Sequence, residues 1–357
     1  MTHLFSKRID LRAGPSSEFI TVADMDKDGK LDILTTNREA GTVSFLKGYG
    51  NGTFDSAVRF KVGSEPIGIA TADMDKDENL DILSANSEDN TVSFLKGYGN
   101  GTFALKVDYE VGKYPIFITV ADINSDGNLD LVVSNLDDRT VSFLKGNGDG
   151  TFATKTDLSV GAGPFYVAAA DIDNDGKLDV LTTNYIDDTV SVLKGNGDGT
   201  FAAKVNHLVG RSPVPISLAD INGDGMLDVL TGNTDGNSTS FLKGYGDGTF
   251  GCKIDYMVGL NPIAMTTADI DNDGKLDILT ANCEAKTISF LKGNGDGTFA
   301  PKIDYEVGFS PEALAIADID NDGALDLLTA NTGANTVTIL LGCGRDSAEY
   351  LSPADEL

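Results

Sequence analysis

The sequence predicts an all-β fold: a seven-bladed β-propeller of four-stranded blades, its ring closed by the N-terminal strand completing the last blade. Three observations carry this. The segment Asp171-Ile-Asp-Asn-Asp-Gly-Lys-Leu-Asp179 recurs, with few changes, seven times, beginning at Asp24, Asp73, Asp122, Asp171, Asp220, Asp269 and Asp318, always 49 residues apart. Self-similarity at such a period marks a solenoid, propeller or array. Each period holds four short strand-like runs bounded by turn residues and no run with a helical period, which favours propeller blades over the shorter turns of a parallel β-helix. The two ends are also complementary. Residues 5–13 match a fourth strand that lacks its first three, with Phe5 standing 49 residues before Phe54 and Gly14 49 before Gly63, whereas Ala313 to Leu341 supply three strands and no fourth. Joining them removes the open edges an unclosed array would expose. Residues 1–343 are therefore expected to form one propeller, and residues 344–357, which match nothing in the repeat, a disordered tail.

Repeat two shows the elements in order. Pro66-Ile-Gly-Ile-Ala-Thr-Ala72 is small and apolar and reads as the inner strand; the acidic loop Asp73 to Asp81 follows. Ile82 to Asn86 is a second strand ending on an Asn that suits an Asx-turn or a left-handed residue. Thr91 to Lys96 is a third strand with β-branched and aromatic content. Gly97-Tyr-Gly-Asn-Gly101 is a hairpin turn, because glycine supplies the positive φ such turns require. Phe103 to Val111 is the fourth strand, and Gly112 opens the link to the next unit.

The acidic loop carries the chemistry. Oxygen side chains stand at its positions 1, 3, 5 and 9, with glycine at position 6. Oxygen ligands at that spacing suit a hard, flexibly coordinated cation such as Ca²⁺, with the position 7 carbonyl and water completing the shell. The predicted ligands are Asp24, Asp26, Asp28 and Asp32; Asp73, Asp75, Asp77 and Asp81; Asp122, Asn124, Asp126 and Asp130; and Asp171, Asp173, Asp175 and Asp179. The remaining sets are Asp220, Asn222, Asp224 and Asp228; Asp269, Asp271, Asp273 and Asp277; and Asp318, Asp320, Asp322 and Asp326. Up to seven Ca²⁺ are expected. Asn124 and Asn222 keep an oxygen but lose a charge, so the third and fifth sites should bind less tightly. Glu78 stands where the other six loops have glycine, and a side chain at positive φ costs about 1 kcal/mol or more, which makes the Asp73–Asp81 site the weakest. The motif is not an EF-hand, which needs a glutamate at position 12 and flanking helices. Converging carboxylates without a cation would repel one another strongly.

Composition limits the partners. The net charge is −28, and 26 of the 55 acidic residues occupy the loop positions just named; seven Ca²⁺ would halve that charge. A strongly anionic chain repels phosphate backbones, so nucleic acid is not an expected partner, and no apolar run approaches a membrane span. Cys252, Cys283 and Cys343 are odd in number, lie in different units and read as free thiols. The N-terminus shows no secretory leader. Histidine is the commonest acid–base group; only His3 and His207 are present, in unrelated places, and no nucleophile–base pair is visible, so the chain is expected not to be an enzyme. A lysine ends the third strand in six units, at Lys47, Lys96, Lys145, Lys194, Lys243 and Lys292, and is expected to neutralise nearby carboxylates.

Ala72-Asp-Met-Asp-Lys-Asp, the loop Asp269 to Asp277 and the turn Gly293-Asn-Gly-Asp-Gly-Thr-Phe299 resemble FG-GAP/VCBS repeats, over residues 5–342. The resemblance implies an integrin-α-like seven-bladed propeller with Ca²⁺ in the loop between strands one and two of each blade. It also implies ligand contacts on the opposite face, built from the 2–3 turns and 4–1 links, and functions such as adhesion, lectin activity or accessory binding to polysaccharides.

Variation between units concentrates in those same connections: Arg38, Glu39, Arg139, Tyr185 and Lys286 in the 2–3 turns, and Lys113, Tyr114, Phe117, Tyr166, Arg211 and Phe309 in the 4–1 links and the first-strand entry. The face bearing Arg38, Tyr114, Arg139, Tyr185 and Phe309 is the expected protein- or glycan-binding surface. The leading reading is a non-catalytic, calcium-binding adhesion scaffold, monomeric and extracellular or at the cell surface. A lectin is the alternative, although the chain has no tryptophan for stacking sugars. A third reading, drawn from the absence of insertions between units, is an amplified or designed consensus propeller without a natural ligand.

Overall fold

In the computed structural model, which describes residues 4–343, the chain forms seven four-stranded antiparallel sheets and, apart from one 3-10 turn at Arg38–Ala40, no helix. The expected tail 344–357 lies outside the described residues. The first complete blade pairs in simple order β2 (Ser17–Ala23), β3 (Asp32–Asn37), β4 (Thr42–Leu46) and β5 (Val58–Lys61). Five further blades repeat that order. The seventh is built from both ends of the chain: Pro311–Ala317, Asp326–Asn331 and Thr336–Gly342, completed by β1 (Phe5–Arg12). β1 runs antiparallel to Thr336–Gly342, with Phe5 opposite Gly342, Ile9 opposite Ile339 and Arg12 opposite Thr336. Each inner strand contacts the inner strands of both neighbouring blades, so the sheets close into a ring.

Burial follows from position in the blade. The second strand is buried at every residue in all seven units, because neighbouring sheets cover both its faces. That is why it reads Asp-Ile-Leu-Ser-Ala-Asn with no polar–apolar alternation. The outermost strand faces solvent, with only its third residue partly covered, as Tyr109 is in Val107–Glu110. It is shorter than the sequence suggests: Phe103 makes a single bridge to Gly97 and turns its ring to the preceding blade, edge-on to Phe60 at 4.9 Å. Aromatic pairs of this kind add about 1 kcal/mol beyond the area they bury, and Tyr109–Phe152 and Tyr256–Phe299 repeat the contact at other seams.

The Asn that ends strand two differs from expectation. None of Asn37, Asn86, Asn135, Asn184, Asn233, Asn282 and Asn331 is left-handed, and all are fully buried. Asn86 Nδ2 donates to Thr91 Oγ1 and Ser93 Oγ, while its Oδ1 accepts from the Gly63 amide. It bridges strand three to the incoming link, a job that needs a donor and an acceptor on one short side chain.

Strand register sorts the connections between two faces. Pro66 pairs with Asn86 and Thr91 with Glu110, whereas Ala72 pairs with Asp81 and Ile82 with Leu95. The 2–3 turns and 4–1 links therefore share one face, and the acidic loops and glycine hairpins the other. At the axis, Phe19, Phe117 and Tyr166, from the first, third and fourth blades, meet with centroids 4.2–5.7 Å apart. They line one end of a cavity of about 730 Å³ whose walls include Thr21, Thr119, Ala168 and Ser217.

Candidate metal sites

Each acidic loop is first a hydrogen-bonded turn. In the first unit, Asp24 at position 1 accepts the amides of Asp28 (3.1 Å) and Gly29 (2.9 Å), and Asp28 at position 5 accepts that of Lys30 (3.0 Å). Asp32 at position 9 is fully buried. Its two oxygens accept the Met25 amide at 2.9 Å and the Gly48 amide at 2.8 Å, which ties the loop to the glycine hairpin between strands three and four. Gly48 is required there, since a Cβ would lie 2.0 Å from the Leu31 carbonyl oxygen. Burial pushes Asp32, Asp81, Asp277 and Asp326 up to about 6 despite these donors. In the second loop Glu78 takes the glycine's place at φ +68°, and its amide still bonds Asp73 at 2.8 Å.

Position 3 is different. Oδ1 of Asp26, Asp75, Asp173, Asp271 and Asp320 is buried without any hydrogen-bond partner. Only 8–9% of the Asp26, Asp75 and Asp173 side chains is exposed. The cause of the burial is the next blade. Its hairpin approaches so closely that a Cβ on Gly101 would stand 3.0 Å from the Phe45 ring and 3.8 Å from Asp26 Cβ. A buried anionic oxygen without a donor is costly, and a cation would satisfy it.

The ligand geometry fits a cation in five units. One oxygen from each of three aspartates lies within 4.8 Å of the others in the sets Asp24, Asp26, Asp32; Asp73, Asp75, Asp81; Asp171, Asp173, Asp179; Asp269, Asp271, Asp273; and Asp318, Asp320, Asp326. These clusters could hold a metal ion. The third and fifth loops differ, because Asn124 and Asn222 turn their amide nitrogens onto Asp130 and Asp228 at 2.9–3.3 Å. The substitution replaces the acidic Oδ1 left without a partner elsewhere by a donor, which bonds the position 9 carboxylate.

The lysines at the ends of the third strands enter these loops as expected. Lys47 pairs with Asp26 and, at 2.8 Å, with Asp28; Lys96 with Asp75 and, at 2.7 Å, Asp77; Lys292 with Asp271 and, at 2.9 Å, Asp273. Lys194 reaches Asp173, and Lys145 and Lys243 reach Asp126 and Asp224. The ammonium groups hold Asp28 and Asp126 below the usual carboxylate range and Asp77 at about 2.

Among the described residues the opposite face holds no repeated acidic cluster; what repeats there is an amide-accepting turn, Asp89, Asp138 and Asp187 taking the Ser64, Lys113 and Ala162 amides at 2.7 Å. Arg38 pairs with Glu65 (2.8 Å), donates to Tyr114 Oη (2.8 Å) and lies 3.6 Å from Glu18. Glu18 is pushed up to about 7, first by burial and then by Glu312, with Arg38 opposing. Lys286 lies 4.0 Å over the exposed Phe309 ring, and Tyr185 and Arg139 are exposed. Phe117 and Tyr166 leave this set for the axis. The three cysteines are free. His207 packs edge-on to Phe250, and burial lowers its pKa below the ordinary imidazole value; His3 lies outside the described residues.

Sequence comparison matches an FG-GAP-like repeat six times, over residues 24–84, 73–133, 122–182, 181–231, 220–280 and 269–329. The chain belongs to the FG-GAP-like repeat family. No curated protein matches its sequence. Solved structures resemble this FG-GAP-like propeller in fold. An Agrocybe aegerita lectin described as recognising non-reducing terminal N-acetylglucosamine aligns with TM-score 0.57 and 20% identity over 81% of this chain and 80% of its own. BBS1N, solved in complex with ARL6DN, gives 0.68 and 13% over 95% and 97%. Virginiamycin B lyase from Staphylococcus aureus gives 0.66 and 13% over 94% and 99%. At these identities the likeness extends to the fold alone.

Proposed function

We propose that the chain is a non-catalytic, calcium-binding propeller that acts as a monomeric binding or adhesion scaffold outside the cell or at its surface. The ring of residues 1–343 works as one unit. The observation that supports this most directly is the partnerless buried Oδ1 of Asp26, Asp75, Asp173, Asp271 and Asp320, each beside further carboxylates at ligand spacing. Ca²⁺ would be held by the carboxylates at positions 1, 3, 5 and 9, and it would supply charge neutralisation at the seams between blades. Millimolar extracellular calcium keeps even weak sites of this type filled. Ligand contacts belong to the face bearing Arg38, Tyr114, Arg139, Tyr185 and Phe309. Glycans are tested beside proteins there because a lectin shares the fold.

Thermal unfolding of the full chain in 5 mM CaCl₂ and in excess chelator tests the metal. Calcium should raise Tm by about 5 °C or more, the shift expected when several ligands bind only the folded state. An unchanged melt overturns the calcium reading. A glycan array probed in calcium then separates sugar from protein ligands.

A further inference from the structure

Six of the seven loops already contain a cation. Each is a lysine ammonium, delivered from the end of the third strand onto the position 3 or position 5 carboxylate. In the first, second and sixth loops it grips Oδ2 of the very aspartate whose Oδ1 is without a partner and also reaches position 5. The seventh loop breaks the rule. The equivalent of Lys47 is Leu341, which is buried, and position 7, a lysine in three other loops, is Ala324. Among the described residues no cationic group is recorded against Asp318, Asp320, Asp322 or Asp326, and Asp320 Oδ1 is buried without a partner. The loop therefore presents four carboxylates with their charge unopposed.

The seventh loop also has a distinct place in the ring. Its blade is the one assembled from both ends of the chain, and the first blade's hairpin covers it. Asn321 Nδ2 donates to the Gly50 carbonyl at 3.1 Å, and Gly52 packs against Asp320 and Leu341. A divalent ion there would join the closing blade to the first.

Resting on the calcium reading above, we infer that the Asp318–Asp326 loop is the chain's high-affinity calcium site. The six lysines are tethered counter-cations that keep the other loops folded when calcium is scarce and that calcium must displace. Affinity in such sites follows ligand charge, and each pairing a cation must break subtracts from binding. The lysines are partly exposed, so the Coulomb term is screened. A displacement costing about 1.4 kcal/mol would still separate the classes by about tenfold.

The test is a calorimetric CaCl₂ titration of the full, chelator-stripped chain. The expected result is one tight equivalent per chain, at least about tenfold tighter than the rest. Asp320→Asn should remove the tight class. Leu341→Lys, which installs the missing ammonium, should weaken it about tenfold; because Leu341 is buried, the melt in chelator should fall as well, and the calcium affinity is read on the folded protein below that melt. Lys292→Met should add a second tight equivalent, and Lys194→Met serves the same purpose, so the test does not depend on any one variant folding. Seven equivalent sites, or a tight class unchanged in number by both lysine variants, would overturn the ranking and leave the calcium reading standing. Neither binding heat nor a calcium-dependent melt would overturn both.

Discussion

The loop face and the link face of this ring solve different problems. On the loop face, all seven position 1 carboxylates accept the same two amides and all seven position 9 carboxylates the same two more. On the link face the backbone bonds repeat too, Ser87 N–H to Glu65 and Val111 N–H to Asn90 having counterparts in every blade, but the side-chain pairs laid over them are made once each: Arg38 with Glu65 and Tyr114 in one place, Lys286 over Phe309 in another, Ser212 Oγ with Asp235 in a third. The difference shows where the fold is specified. Repetition is held where backbone amides must be satisfied inside the ring. The link face can diverge because the buried asparagines beneath it carry the frame.

The strongest way to break this contrast is Asp130→Ala. That loop has Asn at position 3, so the change orphans the Ile123 and Gly146 backbone amides and the Asn124 side-chain amide. We expect about 3–5 kcal/mol of destabilisation in urea unfolding; a loss below 1 kcal/mol would mean the loop face is held by metal alone. Next comes pH on the link face. Glu18 titrates near 7 instead of its ordinary 4.5, so the folded state binds the extra proton between these values. Its contribution is fully present below pH 4.5 and lost as pH rises through 7, up to about 3 kcal/mol. Glu18→Gln should reduce the pH slope of stability between pH 5 and 8, the remainder belonging to Asp32, Asp81, Asp277 and Asp326, and an unchanged slope would assign the titration elsewhere. Glu78→Gly should stabilise by about 1 kcal/mol by relieving positive φ, and should strengthen calcium binding at the second loop if Glu78 is what weakens it. Smallest of all, Phe309→Ala should shift stability by less than about 0.5 kcal/mol while weakening any ligand bound on that face.

Blade number, strand order, ring closure and the loop register were legible because each is written seven times at a fixed step. Lysine placement was legible for the same reason, since Lys47 and its equivalents follow the loop at constant distance. What sequence reasoning missed depends on neighbours in the ring. Asp32 is more than a prospective ligand, because it staples its loop to the Gly48 hairpin. The asparagines were misread as turn residues because their partners, such as Ser93 and Gly63 for Asn86, lie on a neighbouring strand and in a link. Asp26 is buried by a hairpin 75 residues further along the chain, at Gly101. The contact of Phe19 with Tyr166, 147 residues apart, exists only once the ring is shut.

Ring closure has a mechanical corollary. Phe5 and Gly342 are paired at the same end of the β1 ladder, so a pull applied between the two chain ends loads that ladder one rung at a time instead of shearing all its hydrogen bonds together. A tether attached through both ends would peel the clasp open at low force. One attached through a single end and the link face would leave it shut.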